Sequence, residues 1–316
     1  MKPFFTMCPR IRLVTMKLLS LTFSFLLAAP AWAQDPVFKL NVDVNLVEVH
    51  VNVRDDKDRP VGNLSKENFQ LFEDGVQQDI SVFKHEDIPV SLGLVIDNSR
   101  SIEPRKQRLD AAAVSFVRKG NAEDETFIIH FDDTARLEQD FTASISDLED
   151  TLASVQPFGQ TAIYDALILA LDHMAQAKHM KKAILLVTDG IDNSSHHTME
   201  EAIEATKRSR VAVYTVGLLS QSGGEKAEDS LIHIAEASGG RAYFPQNVDD
   251  ARSAMERVAR DLREQYTLGY FPAKSDLDGS WRSVRVDIIR LPGASAKIAF
   301  PKFNATYRHG YYGPSK

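Results

Sequence analysis

Cysteine is all but missing: the 316 residues contain one, Cys8. It precedes the apolar run 18–29, inside a segment that reads as a removable leader, so the mature chain has no thiol, no disulfide and no thiolate metal site. Lying ahead of the run, it also cannot serve as a lipoprotein anchor. Exported chains manage without disulfides when their core is large enough. Long apolar runs are lacking as well. Leu18 to Ala29 is the one strong run, shorter than the roughly 20 residues a membrane-spanning helix needs. Lys17 before it and Ala31-Trp32-Ala33 after it fit a secretory signal with a small-x-small cleavage site. Met16 offers a second candidate start beside Met1. Cleavage after Ala33 leaves 283 residues, enough for one medium domain and a smaller one.

Basic residues are the minority, 37 against 44 acidic, for a net charge of −7. Residues 1–33 hold four basic and no acidic residues, so the mature chain is nearer −11. An acidic surface argues against nucleic acid as a general partner. Several enzyme signatures are missing too: no H-E-x-x-H, G-x-S-x-G, P-loop or dinucleotide glycine pattern occurs. Ser81-Val82-Phe83-Lys84 matches S-x-x-K, but it falls on an expected strand without companion motifs. His196-His197 has no partner at zinc spacing and reads as a solvated loop.

What is present falls into three regions after the leader (1–33). The first, 34–87, alternates apolar and polar residues over 42–53, as a half-buried strand does. It then offers a hairpin over 69–80 with Asp74-Gly75 at its tip. The second, 88–265, alternates strands (91–96, 126–131, 183–188, 211–217, 241–244) with helices (104–119, 145–155, 163–177, 199–209, 229–237, 249–265). A short antiparallel edge strand is expected near 135–137, after a turn at Asp132-Asp133. Continuously apolar, β-branched strands predict a mostly parallel sheet covered on both faces, a doubly wound α/β fold. The third region, 266–316, returns to strands at 266–271, 283–290 and 296–300. The first and third regions are expected to pair into one small β-sandwich-like unit.

The chemistry gathers at strand ends. Leu92-Gly93-Leu94-Val95-Ile96 runs into Asp97-Asn98-Ser99-Arg100-Ser101, a D-x-S-x-S loop. Gly159-Gln160-Thr161-Ala162 places a hydroxyl where a loop opens a helix. Ile184-Leu185-Leu186-Val187-Thr188 ends in Asp189-Gly190. These are hard oxygen donors, suited to Mg²⁺, Mn²⁺ or Ca²⁺. In open α/β sheets ligands bind outside the carboxyl ends of the strands. Each motif taken singly also reads as a helix cap or a turn; their order within one α/β pattern favours a shared metal site.

In order and rough spacing the three segments resemble the metal-ion-dependent adhesion site of von Willebrand factor A (VWA) domains, a Rossmann-like fold. The resemblance implies Ser99 and Ser101 as direct ligands, Thr161 as a ligand that binds directly or through water, and Asp97 and Asp189 acting largely through water. An ion held by so few charges keeps an open position for a carboxylate of a partner. Arg100 stands where many such motifs have glycine, which adds a cation beside the ion. The Val-rich first region, Phe72-Glu73-Asp74-Gly75 and the closing Gly310-Tyr311-Tyr312-Gly313 resemble exported bacterial VWFA-related proteins found notably among Acidobacteria.

The expected function is therefore a non-enzymatic binding module, periplasmic or secreted, that captures an exposed Asp or Glu of a protein partner through a divalent ion. No general base accompanies the hydroxyls to activate water. The alternatives are a metal-dependent hydrolase using Asp97 as nucleophile, which has Ser99 where a second acid is wanted, and a structural envelope component with a vestigial site.

Overall fold

The computed structural model describes residues 46–218, 224–274, 276–290 and 302–315. The leader, residues 42–45 of the first alternation and the strand expected at 296–300 lie outside them.

The first region forms β1 (Val47–Arg54), β2 (Phe69–Glu73), β3 (Val76–Gln78) and β4 (Ile80–Lys84). Asp74 and Gly75 both take positive φ, 47° and 80°, the backbone a tight hairpin tip requires. The expected hairpin over 69–80 is cut short, because β3 ends at Gln78 and β4 pairs in a different sheet. The chain changes sheets at the exposed Asp79, and Ile80, now paired in the other sheet, still faces the core that β2 lines.

The middle region forms β5 (Val90–Asp97), α1 (Lys106–Arg118), β6 (Glu125–Phe131), β7 (Ala135–Thr142), α2 (Ile145–Ser154), α3 (Ile163–His173), β8 (Lys181–Thr188), α4 (Met199–Arg208), β9 (Ala212–Gly217), α5 (Gly224–Ser238), β10 (Ala242–Tyr243) and α6 (Val248–Arg263). The sheet order is β10-β9-β8-β5-β6-β7, with every pair parallel except β6–β7. Alternate residues of one strand serve opposite faces, as the period of two demands. Leu92, Leu94 and Ile96 pack with α1, α2 and α6, while Val95 packs with α3, α4 and α5. The fold is thus the expected doubly wound α/β sheet. Several boundaries differ from the sequence reading: α3 ends at His173, short of the expected 177, and α5 starts at Gly224 instead of 229. The edge strand β7 extends to Thr142, and α1 starts at Lys106 because residues 99–105 are committed to 3-10 bonds such as Ile102 N–H to Ser99 O (3.1 Å).

The tail adds β11 (Tyr266–Tyr270), β12 (Trp281–Ile288), β13 (Asn304–Thr306) and β14 (Gly310–Tyr312). Two antiparallel sheets result, β13-β1-β11-β4 and β14-β12-β2-β3, each mixing strands from the first and third regions. Val51, Leu71, Tyr266 and Leu268 share the apolar core that both sheets contribute to. At its centre a polar cluster is closed off: the Tyr270 and Tyr311 hydroxyls both donate to Glu73 Oε2, at 2.6 and 2.7 Å.

Candidate functional site

The chain leaves β5 for β6 on one side and returns to β8 on the other, so the strand order reverses at β5. A crevice opens at such a switch point, outside the carboxyl ends of the strands. Ile96 is in register with Val187. The next residues, Asp97 and Thr188, therefore lie side by side at the crevice floor.

Asp97 is almost fully buried, 1% exposed. Its Oδ1 accepts the Ser99 N–H at 2.8 Å and its Oδ2 accepts the Thr188 hydroxyl at 2.6 Å. Burial pushes its carboxyl up to about 6, against the pull of the Ser99 and Thr188 hydrogen bonds, and the Asp189 charge adds to the rise. The Ser99 and Ser101 hydroxyls are hydrogen-bonded at 3.0 Å, and Ser101 Oγ donates to Asp189 Oδ1 at 2.7 Å. Arg105 Nη1 donates to the other oxygen, Asp189 Oδ2, at 2.8 Å. A continuous file of polar groups results: Ser99, Ser101, Asp189, Arg105.

Thr161 reaches the same crevice from the far side. A Cβ built on Gly190 would sit 3.4 Å from Thr161 Oγ1, so the hydroxyl lies directly over the Asp189-Gly190 turn. It makes no hydrogen bond among the described residues. Its loop is held from three directions. Asn193 Oδ1 accepts the Thr161 N–H at 2.9 Å, and Asn193 N–H donates to the Thr161 carbonyl at 3.0 Å. Asp133 Oδ1 accepts the Gln160 N–H at 2.7 Å. Asn98, 1% exposed, ties the D-x-S-x-S loop to this one through Nδ2 to Gln156 O (2.6 Å) and through its carbonyl from Phe158 N–H (2.9 Å). Gly159 has φ +69°, and a side chain there would start 2.6 Å from the Asp133 carboxylate.

All five side chains singled out in the sequence (Asp97, Ser99, Ser101, Thr161, Asp189) thus meet in one crevice. Thr161 is the only one that hydrogen-bonds to none of the others through its side chain. Three hydroxyls and two carboxylates are the donor chemistry of a hard divalent cation. The Ser99–Ser101 separation also fits. Adjacent donors about 2.1 Å from an octahedral ion stand about 3.0 Å apart, and the two hydroxyls are 3.0 Å apart. Among the described residues no group of three His, Cys, Asp or Glu side chains is arranged for a metal.

Sequence reasoning missed Thr188, Asn193, Asp133 and Arg105. Thr188 had a usable signal, as the last residue of the strand beside Asp97. Arg105 and Asn193 had none, since their roles depend on which loops the fold brings together. The 192–195 loop acts as a brace. Asp192 Oδ2 and Ser195 Oγ both accept the Tyr164 N–H, at 3.1 Å each, capping α3. His196 and His197 are exposed, as expected of a solvated loop, yet their ring Nδ1 atoms lie 3.0 and 2.7 Å from Asp165. Burial would raise the Asp165 carboxyl, but hydrogen bonds from the two histidines outweigh it and hold the group well below the usual range. Around the mouth stand Phe158, 60% exposed, Ile191, 44% exposed, and the exposed Arg100.

Residues 92–191 match the family model of the von Willebrand factor type A domain. That stretch runs from β5 to just past Asp189 and contains all five candidate residues. Over those residues the α/β layer matches a VWA domain. No curated protein matches the chain. Among solved structures it is similar to mussel proximal thread matrix protein 1 from the byssus, described with a zinc-occupied MIDAS motif. That likeness has 21% identity and a TM-score of 0.51, covering 61% of this chain and 50% of the other. This chain therefore spans about half the length of the mussel protein. It is also similar to the von Willebrand domain of the type V pilus tip protein Mfa5 of Porphyromonas gingivalis, with 15% identity, a TM-score of 0.48, and coverage of 55% and 95%. A third likeness is to the PilB minor pilin of Streptococcus sanguinis, with 15% identity, a TM-score of 0.47, and coverage of 57% and 62%. At these identities the likeness is one of fold.

Proposed function

We propose that the mature chain is an exported binding module that holds a divalent cation, Mg²⁺ or alternatively Mn²⁺ or Ca²⁺, in the β5–β8 crevice and uses it to capture an exposed Asp or Glu of a protein partner. Ser99, Ser101 and Thr161 are the direct donors in this reading, with Asp97 and Asp189 acting mainly through water. A bound cation would supply Lewis acidity toward an incoming carboxylate. The chain's own residues do the rest. Asp97 fixes the Ser99 backbone, Asp189 orients Ser101, and Asn193 fixes Thr161 over Gly190.

The observation that carries the reading is the unbroken file from Ser99 through Ser101 to Asp189, with contacts of 3.0 and 2.7 Å, at the switch point of the sheet. Phe158 and Ile191 add apolar contact at the rim. Arg100 adds a positive charge that favours an acidic partner in an otherwise acidic protein.

Binding is favoured over hydrolysis by the state of Asp97. An attacking carboxylate needs a free oxygen facing its substrate, whereas both Asp97 oxygens already accept hydrogen bonds and the residue is 1% exposed. The deciding experiment is calorimetric titration of Mg²⁺, Mn²⁺ and Ca²⁺ into chelator-treated mature protein, beside Ser99→Ala. One-site binding lost in the variant, with an unchanged melting temperature, is the expected result. Failure of all three ions to bind would end the metal reading.

A further inference from the structure

At the pole opposite the crevice, where β8 and β9 begin, a cavity of about 220 Å³ lies between the α/β layer and the antiparallel sheets. Its wall is apolar, with Val47, Val211, Leu262 and Val284 among its residues. That volume equals about seven waters' share of liquid, room for a short or medium acyl chain.

The charge around this cavity runs against the rest of the protein. Lys181, Lys182, Arg210 and Arg308 line it with a single carboxylate, Glu48, although acidic residues outnumber basic ones over the chain. None of the four cations has a carboxylate within ion-pair reach among the described residues. Lys181 is 4% exposed, and its ammonium donates to the Leu262 carbonyl. Arg308 Nε donates to Gly310 O at 2.7 Å, and its two terminal nitrogens donate to the Lys207 and Ser209 carbonyls. The guanidinium thus caps the C-terminus of α4, where the helix dipole offers only a partial negative charge. Arg210, two residues past that helix, makes no hydrogen bond among the described residues.

Burial lowers the Lys181 ammonium to about 8, with the Arg263 charge adding and Asp87 and Asp124 opposing. Burial also lowers the Arg308 guanidinium to about 10, with the Arg210 charge adding. Burial and the Lys181 charge lower His50, also on the lining, to about 4. Burial is the largest cause at each of the three groups, so the cavity's positive charge is poorly solvated.

We propose that this cavity is a second binding site, for a small amphipathic anion whose acyl chain lies on the valine and leucine wall and whose carboxylate or phosphate head sits at Arg210 and Arg308. Two guanidiniums suit a planar or tetrahedral oxyanion. An apolar pocket with a few convergent polar groups is the usual form of a small-molecule site. The inference does not depend on the metal reading of the opposite pole.

The test is titration of octanoate and octyl phosphate, with octanol as the neutral control, into the mature protein in chelator. The same titrations are run on Arg210→Gln, Arg210→Glu and Ser99→Ala. Arg210 is exposed, so its variants should melt like the parent. One-site binding of an anion is expected, weakened roughly three- to tenfold by Arg210→Gln and further by Arg210→Glu. Ser99→Ala should bind like the parent. Preference for octanoate would mark a fatty-acid-like ligand, and preference for octyl phosphate a lipid-phosphate-like one. The proposal is overturned if neither anion binds, if octanol binds as tightly, if charge reversal at Arg210 changes nothing, or if Ser99→Ala abolishes binding.

Discussion

Asn193 closes a ring on Thr161, its side-chain oxygen taking the Thr161 N–H at 2.9 Å while its own N–H reaches the Thr161 carbonyl at 3.0 Å. A residue from the β8–α4 loop thereby sets the position of a hydroxyl that belongs to the α2–α3 loop. Asn193→Ala should loosen that hydroxyl without unfolding an exposed loop. We expect cation affinity to fall roughly three- to tenfold and stability by no more than about 1 kcal/mol. Calorimetry and a thermal melt on one sample check both, and unchanged affinity would mean that Thr161 takes no part in holding the ion.

Thr188 and Asp97 make a different kind of pair. The hydroxyl is fully buried and donates to a carboxylate that is nearly so. Thr188→Val keeps the shape and removes the donor, leaving one carboxylate oxygen without its partner. A loss of about 1–3 kcal/mol is expected, measured by urea denaturation. A neutral outcome would show that water replaces the hydroxyl.

Arg105 places a guanidinium on the carboxylate that orients Ser101. A fixed positive charge so close opposes a second one, so Arg105→Ala should tighten Mg²⁺ roughly three- to tenfold, most clearly at low salt. Weaker binding instead would identify Arg105 as the group that holds Asp189 in place.

His130 sits on β6, 0% exposed, with neither ring nitrogen hydrogen-bonded among the described residues. Burial, with the Lys106 and Arg136 charges, lowers it from 6.5 to about 3, Asp132 opposing. The unfolded chain therefore takes up this proton first as the pH falls. The His130 contribution is intact above about pH 6.5 and is lost toward pH 3, at up to about 1.4 kcal/mol per pH unit. Denaturation at several pH values should show a shallower acid slope in His130→Leu. An identical slope in the variant would assign the acid sensitivity to other groups, His50 first among them.

The sequence made Asp97 and Asp189 legible because each ends a run of buried β-branched and leucine residues, and a doubly wound sheet puts such ends on one edge. The two serines followed from their spacing to Asp97. Other roles had no local signature. Asp133 looks like half of a turn, and its contact with Gln160 exists only because β6 lies next to β5. The switch of sheets at Asp79 was hidden for a related reason: Ile80 continues the alternation of the hairpin, and only its pairing with β11 shows which sheet it serves. Edge strand β7 was underestimated because Leu137 is exposed there and its residues carry little apolar signal.

The pairing of β1 with β11, Val51 opposite Tyr266, has a mechanical consequence. The polypeptide enters the α/β layer before Val90 and leaves it after Arg263, and both points lie at the pole away from Asp97. Arg263 itself clasps Asp87 and Asp124 there. A pull exerted on the Asp97 loop by a tethered partner would therefore travel lengthwise down β5. That strand is flanked on each side by seven in-register neighbours. Tension in that direction meets the backbone hydrogen bonds in shear, all together, instead of unzipping them one at a time.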